Sequence, residues 1–283
     1  MRFSIQHLTS YRYGSLVSDS FNDAHLCPIS DTLQTCESFE LNVEPSCGRI
    51  LRRLDFYTNQ VHHFEVMQPH DRLDVLALST VKTLADSRDF SVVVPFSSLT
   101  GLDRDDRYYD FLSASHHIAL PPMMEHEAKE ITYGSVDVRE AVLRILDYID
   151  DAFTYAPGST KIESSVVEVF EQKAGVCQDF AHLMIALCRA LKIPARYVSG
   201  YFYPEKRSLS ASDDNTVSHA WVECFMPGIG WVGYDPTHKR RTGANYVRVA
   251  VGRDYSDVRP LSGTYRGKSQ AEMKVSVSVE PMD

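Results

Sequence analysis

The stretch AGVCQDFAHLMIALCRALKIPARYVSGY, residues 174–201, constrains the fold more than any other part of the chain. Its apolar residues recur at intervals of three and four, the spacing of one buried helix face; they are Phe180, Leu183, Met184, Leu187, Cys188 and Leu191. Because a residue before proline disfavours helical geometry, Pro194 ends this pattern near Lys192. The stretch therefore predicts a buried helix that begins near Cys177, followed by a strand.

A thiol lies in the first turn of this predicted helix. Gly175 gives the chain a flexible entry, and Asp179 carries a charge that suits a helix N-terminus. Cys177 meets the positive end of the helix dipole, which favours the nucleophilic thiolate form of a cysteine. Cys177 is therefore a candidate nucleophile. The competing interpretation is inert packing, the usual role of free cysteine, and Cys188 on the apolar face illustrates it.

A base and an orienting acid follow in a predicted hairpin. VSHAWVECF and WVGYDPT have the composition of two strands, and MPGIG between them is typical of a tight turn. Residues symmetric about Gly228 should face each other, so His219 and Asp235 become near cross-strand neighbours. Thiol catalysis needs a nucleophile, a base and a group that orients the base. Cys177, His219 and Asp235 in this order predict such a triad.

Two architectures follow one another along the chain. From Arg2 to about Leu84, short β-branched and aromatic runs alternate with turn residues, which predicts a mostly antiparallel β domain. Pro121 and Pro122 mark a boundary, because neither fits inside a helix or a central strand. Helical spacing then recurs in residues 138–153 and 164–172. We predict a β-rich domain of residues 1–122 and a catalytic domain of residues 123–283.

Composition excludes several classes of function. The 29 Lys and Arg against 38 Asp and Glu give a formal charge of -9, and no basic run is available to bind nucleic acid. No secretory signal and no stretch of about 18 apolar residues is present, so we expect a cytoplasmic protein without a membrane partner. The six cysteines show neither C-x-x-C nor Cys/His finger spacing, which predicts free thiols, no metal and no cofactor, with disulfides as the weaker alternative. The oligomeric state stays open.

The motifs GVCQDFAH, ALCRALKIPARYVSGY and SHAWVECFMPGIGWVGYDPTH together resemble the core of the transglutaminase-like superfamily. HLTSYRYGSLVSDS, FTYAPGST and the tail NYVRVAVGRDYSDVRPLSGTYRG resemble its bacterial cysteine-protease branch, in which a β-rich N-terminal domain precedes the core. The resemblance implies an α+β, papain-like core with the nucleophile helix packed on an antiparallel sheet. It also implies that Cys177 is the nucleophile, His219 the base and Asp235 the acid.

The implied chemistry is attack of the Cys177 thiolate on an amide carbonyl, giving a thioester that water or an amine then resolves. The substrate would be a peptide, a protein or a small amide. We favour hydrolysis, because neither an export signal nor an EF-hand calcium loop indicates a secreted or calcium-switched cross-linking enzyme. The amide N–H of Cys177 is one candidate oxyanion donor, Tyr155 of FTYAPGST is a second, and Gln178 supports the first turn.

Two alternatives and one accessory element complete the sequence-based hypotheses. A metal site of Cys177, His182 and His219 is disfavoured, because positions five apart on a helix point in different directions. A non-catalytic module could use the same cleft to hold a peptide; selective, pH-dependent labelling of Cys177 would distinguish an enzyme from it. The polar stretch Pro204–Thr216 returns to the sheet just before His219, so we predict a flap over the substrate.

Overall fold

The first strands of the chain and its last two strands form one antiparallel sheet. The computed structural model describes residues 1–161, 163–204 and 218–282. The long strand β1 lies at the centre of the sheet and pairs with β4, β5, β13 and β14. The strands are β1 (Arg2–Ala24), β2 (Gln34–Glu44), β3 (Leu51–Leu54), β4 (Gln60–Val66), β5 (His70–Thr83), β13 (Leu261–Arg266) and β14 (Ala271–Pro281). The predicted β-rich N-terminal region is confirmed.

The last two strands of the chain pair with its first strand, across the division that the sequence predicts at residue 122. Residues 261–281 belong by that division to the 123–283 domain, yet β13 and β14 hydrogen-bond to β1. Ala271 pairs with Tyr13 and Pro281 with Phe3, so the two ends of the chain lie side by side. Strand partners so far apart in the sequence leave no local signal. The boundary at residue 122 itself stays a prediction.

A second antiparallel sheet carries the predicted hairpin. Its strand order is β11, β10, β9, β8, β12. The strands are β8 (Ala195–Phe202), β9 (His219–Met226), β10 (Gly230–Asp235), β11 (Arg240–Arg241) and β12 (Tyr246–Gly252); a parallel pair of two-residue strands, β6 (Thr154–Tyr155) and β7 (Ala174–Gly175), lies outside this sheet. Met226 pairs with Gly230 and Val222 with Tyr234, so Gly228 is the centre of the hairpin, as predicted.

A group of helices covers this second sheet, and some of its members contact β8 and β9 directly. The helices are α1 (Asp106–Tyr109), α2 (Pro122–Ile131), α3 (Val138–Ala152), α4 (Val166–Gln172) and α5 (Cys177–Ala190), with short 3₁₀ turns at Phe96–Leu99, Leu102–Arg104 and Tyr255–Asp257. Asp137 caps α3 and Ser165 caps α4, each by accepting a backbone N–H of the first turn. Within the described ranges, none of the helices has the length and apolar character to cross a membrane.

Helix α5 lies at the centre of the core. Leu183, Met184, Leu187 and Cys188 are fully buried, and they pack in one cluster with side chains of α3 and β9. The α+β class and the packing of α5 on an antiparallel sheet are therefore as predicted. All six cysteines are free, and Cys188 is a buried packing residue whose Sγ lies 3.7 Å from that of Cys224.

Edge strand β12 is covered by the N-terminal part of the chain. The Gln34 side chain donates to the carbonyl of Arg248 and accepts its backbone N–H, both at 2.8 Å. The Asn59 amide makes the same two bonds, each 2.8 Å, with the backbone of Val251. Two buried side-chain amides thus replace the missing neighbour of an edge strand. Most of the predicted flap, residues 205–216, lies outside the described residues, so the flap stays a prediction.

Gly200 provides a test of the packing between β8 and β9. A Cβ on this residue would lie 2.6 Å from Cη2 of the Trp221 ring and would collide with the Val247 carbonyl. We expect Gly200→Ala to lower the free energy of unfolding by about 1–3 kcal/mol, the cost of overpacking. Urea denaturation measures this loss. Gly48→Ala is the matched control, because open space surrounds Gly48; an equal effect in both variants would contradict the argument.

Candidate active site

The start of α5 is fixed by a buried carboxylate. Oδ2 of Asp179 accepts the backbone N–H of Val176 at 2.8 Å and the hydroxyl of Thr160 at 2.6 Å. Burial raises the pKa of Asp179, while the bonds from Thr160 and Val176 oppose that change. Gly175 must lack a side chain here, because a Cβ would lie 2.8 Å from that of Asp179. These contacts hold Cys177 as the first residue of the helix, where the sequence predicts it.

His219 is the first residue of β9, and it lies between the predicted nucleophile and the predicted acid. Its Nε2 is 2.8 Å from Oδ2 of Asp235, and the ring also makes a hydrogen-bonding contact with Cys177. Because Nε2 faces Asp235, Nδ1 is the nitrogen available to the thiol. If the hairpin register is continued by one residue beyond the pair of Tyr234 and Val222, Asp235 lies opposite Trp221 and diagonal to His219 on the same face. The three residues predicted as a triad are therefore brought together.

The charge state of His219 follows from these neighbours. Burial disfavours the imidazolium, but the hydrogen bonds with Asp235 and Cys177 outweigh it and raise the pKa of His219 to about 10. Only 10% of its side chain is exposed. The rings of Phe202 and Trp221 lie 5.7 Å and 6.1 Å away, between ring centres. At neutral pH the site thus holds a positively charged ring between two aromatic side chains and a buried carboxylate.

Asp235 is fully buried and accepts five hydrogen bonds. Oδ2 accepts from His219, from Nδ1 of His238 at 2.7 Å and from the hydroxyl of Tyr246 at 2.7 Å. Oδ1 accepts the backbone N–H groups of Thr237 at 2.9 Å and of His238 at 3.3 Å. Although burial favours the neutral form, the bonds from His219 and His238 hold the pKa of Asp235 well below its usual range. The carboxylate therefore stays charged and oriented.

Two residues at the site were not predicted. His238 lies three residues after Asp235 in YDPTH. An available signal for it was the tendency of an Asp side chain to accept backbone N–H groups from the residues that follow it. Tyr246 reaches the site from β12, whose place in the sheet no local pattern reveals. Tyr197 of β8 is buried. Burial, followed by the charge of Cys177, raises the pKa of Tyr197, which indicates that this residue is also near the nucleophile.

The predicted oxyanion and support residues also lie beside the helix start. Tyr155 of β6 pairs with Gly175 of β7, and its side chain is 52% exposed. Burial, followed by the charge of Cys177, raises the pKa of Tyr155, which indicates that its phenol is near the thiol. Gln178 is half-buried in the first turn of α5. The parts of Tyr155 and Gln178 in catalysis stay predictions.

The disfavoured metal arrangement is not formed. His182 is buried, and its Nε2 accepts the backbone N–H of Tyr255 at 3.2 Å. Among the described residues, the clusters with ligand atoms close enough for one ion include neither His182 nor Cys177. One cluster combines His219, Asp235 and His238, but both imidazoles already donate to the carboxylate there.

Comparison with known proteins adds independent support for the family. Residues 125–236 match the family model of the transglutaminase-like superfamily, and residues 3–82 match the bacterial transglutaminase-like N-terminal region. An uncharacterized protein of Mycobacterium leprae is 33% identical over 279 residues, which cover 98% of each chain. A protein-glutamine gamma-glutamyltransferase of Pseudomonas aeruginosa is 32% identical over 103 residues, covering 35% of this chain and 15% of that protein.

A solved structure has the same fold over the whole chain. The crystal structure of "a Putative Cysteine Protease from Cytophaga hutchinsonii" aligns with a TM-score of 0.78 and 25% identity. The alignment covers 100% of this chain and 92% of that one. It therefore includes the N-terminal sheet as well as the helix and hairpin that hold Cys177, His219 and Asp235. Sequence motifs, family models and fold agree: this chain belongs to the transglutaminase-like superfamily.

Proposed function

We propose that the protein is a thiol-dependent enzyme that cleaves amide bonds through a thioester on Cys177. The observation that carries the proposal is the contact of one imidazole, His219, with a helix-start thiol on one side and a buried, ionised Asp235 on the other. These are the three roles that thiol catalysis needs. A peptide-binding module without catalysis would have no need to keep a charged imidazole against a thiol.

Acylation begins with the thiolate of Cys177, which attacks the amide carbonyl carbon and forms a C–S bond. The imidazolium of His219 then donates its proton to the leaving nitrogen as the C–N bond breaks. Its raised pKa keeps this proton available at neutral pH. Asp235 holds Nε2, so that the proton to be transferred lies on Nδ1, the nitrogen that faces Cys177. The products of this step are a free amine and a thioester.

Deacylation reverses the proton transfer. Neutral His219 takes a proton from a water molecule, whose oxygen attacks the thioester carbonyl, and the C–S bond breaks to regenerate thiolate and imidazolium. An amine in place of water would give acyl transfer by the same steps. The name of the Cytophaga structure supports hydrolysis, whereas that of the Pseudomonas relative supports transfer. We retain hydrolysis as the proposed outcome, on a peptide, protein or small amide substrate.

The oxyanion formed in both steps needs donors at the helix start. The first bond within α5 runs from the N–H of Phe180 to the carbonyl of Val176, so the N–H of Cys177 has no acceptor inside the helix. That amide lies next to the reacting sulfur and is the first proposed donor. The phenol of Tyr155, which is near the thiol, is the second.

Removal of the nucleophile is the direct test of the proposed function. We expect Cys177→Ala to lower turnover by roughly 10⁴-fold or more, because no other group can form the thioester. A library of peptides and small amides, incubated with the parent and the variant and read by mass spectrometry, measures the difference. Hydroxylamine added to the parent should divert the thioester to a hydroxamate, and an added primary amine reports whether transfer competes with hydrolysis.

Cys188→Ser is the matched control for the thiol. It replaces a buried sulfur by a hydroxyl and should cost roughly 1–3 kcal/mol of stability while turnover at a permissive temperature is kept. Iodoacetamide should label Cys177 selectively in the parent. Equal, slow labelling of all six cysteines, together with no turnover in the parent, would point to the binding module instead. Full activity in Cys177→Ala would remove Cys177 as the nucleophile.

The titration of His219 tests its pairing with Cys177 and Asp235. In the parent, its Cε1–H resonance should shift with a midpoint near pH 10, and Cys177→Ala should move that midpoint toward the ordinary value of 6.5. Because Asp235 remains, the midpoint should stay above 6.5. Because the pKa of His219 is higher in the folded protein than in the unfolded one, its contacts with Asp235 and Cys177 stabilise the fold fully below about pH 6.5. That contribution to stability is lost as the pH rises through about 10.

Nuclear magnetic resonance on selectively labelled histidine measures these midpoints. Cys188→Ala is the control, since its sulfur does not contact the ring, and it should leave the His219 midpoint unchanged. A parent midpoint below pH 7 would remove the imidazolium from the mechanism.

Tyr155→Phe tests the second oxyanion donor. Loss of one such donor lowers kcat by about 10²–10³-fold with little change in KM, because the bond forms only in the transition state. Steady-state kinetics on a substrate from the library provide both constants. Tyr133→Phe is the matched control, since Tyr133 is 84% exposed. If kcat is the same in Tyr155→Phe as in the parent, the phenol is only a neighbour of the site.

A further inference from the structure

His116 and His117 lie at the tip of a tight turn that precedes α2. Two backbone bonds between Ser115 and Ile118, 3.0 Å and 3.2 Å long, close the turn. The N–H of His117 also donates to Oδ2 of Asp254 at 3.0 Å. The backbone that carries the two imidazoles is therefore fixed by hydrogen bonds within the turn and by one to Asp254.

Glu163 approaches this turn from the segment between β6 and α4. One ligand atom from each of His116, His117 and Glu163 lies within 4.8 Å of the others. Nε2 of His116 and Oε2 of Glu163 are 3.6 Å apart, too far for a good hydrogen bond. Two ligands about 2.0–2.1 Å from a tetrahedral zinc ion are roughly 3.4 Å from each other. Small side-chain rotations would thus bring all three onto one ion.

The ring of His117 is prepared for such a role by its surroundings. It is 3% exposed and stacks on His182, with ring centres 5.0 Å apart and planes inclined by 10°. Among the described residues, its buried Nε2 has no hydrogen-bond partner.

We propose that His116, His117 and Glu163 bind a Zn²⁺ ion whose fourth position is left to water. Two imidazoles and one carboxylate form a donor set that zinc accepts in proteins. The proposal is independent of the reaction proposed above. The cysteine spacing predicts no metal, and the histidine pair and Glu163 lie in separate segments without a recognisable ligand spacing.

Occupation of the site would tie two segments together near the nucleophile helix. Thr160, three residues before Glu163, donates to Asp179 at the start of α5. An ion held by Glu163 would anchor this segment to the turn at His116. Arg259, whose guanidinium is 4.0 Å from Glu163, is the competing cation. Zn²⁺ must displace that contact, so Arg259→Gln should tighten binding.

Isothermal titration of the full chain with Zn²⁺ tests the proposal. The Cys177→Ala background removes the thiol of the proposed active site as a competing ligand. We expect one ion per chain, a rise in melting temperature on binding, and an affinity at least about tenfold lower in His116→Ala and in Glu163→Gln. Both side chains are more than 60% exposed, at 66% and 68%, so these variants should fold.

His126→Ala is the matched control, because His126 is an exposed histidine of α2 outside the cluster. The affinity of His126→Ala for Zn²⁺, measured in the Cys177→Ala background, should equal that of the background alone. The proposal is overturned if that background binds no ion. It is also overturned if His116→Ala and Glu163→Gln retain the affinity of the control, since a different donor set, such as the remaining thiols, would then hold the zinc.

Discussion

The buried carboxylate of Asp235 sets the geometry of the whole site. A charge removed from water costs several kcal/mol unless its hydrogen bonds are replaced, and here five donors replace them. The donors come from β9, from the turn after β10 and from β12, so three parts of the sheet must be in register before the acid is satisfied. His219 is thereby oriented by the same requirement that keeps Asp235 ionised.

The buried carboxylate of Asp179 fixes the start of helix α5, as that of Asp235 fixes the orientation of His219. Asp179 ties the start of α5 to Thr160, and the missing side chain of Gly175 lets the chain approach closely enough for Cys177 to be the first helical residue. The thiol and the imidazole therefore belong to two separately fixed elements. Their contact depends on the packing of α5 on β9, which involves the largest core cluster of the protein.

Local patterns in the sequence were sufficient to predict the two elements that carry the thiol and the imidazole. Apolar spacing located α5 to within two residues of its end, and symmetry about Gly228 brought His219 to Asp235 because hairpin register is a local property. Tyr246 and the partners of β14 could not be found in this way. Each depends on a strand order that joins distant segments, and periodicity does not encode which strands become neighbours.

The N-terminal sheet has a physical connection to the site through β12. This strand is the edge of the second sheet and carries Tyr246, one of the donors to Asp235. Gln34 and Asn59 bond its outer edge, as a further strand would, and both amides are buried. Without them the backbone of β12 would be left unpaired and the Tyr246 hydroxyl less firmly placed. The β-rich region therefore completes the sheet on which the buried acid depends, which gives a structural reason for one chain to contain both parts.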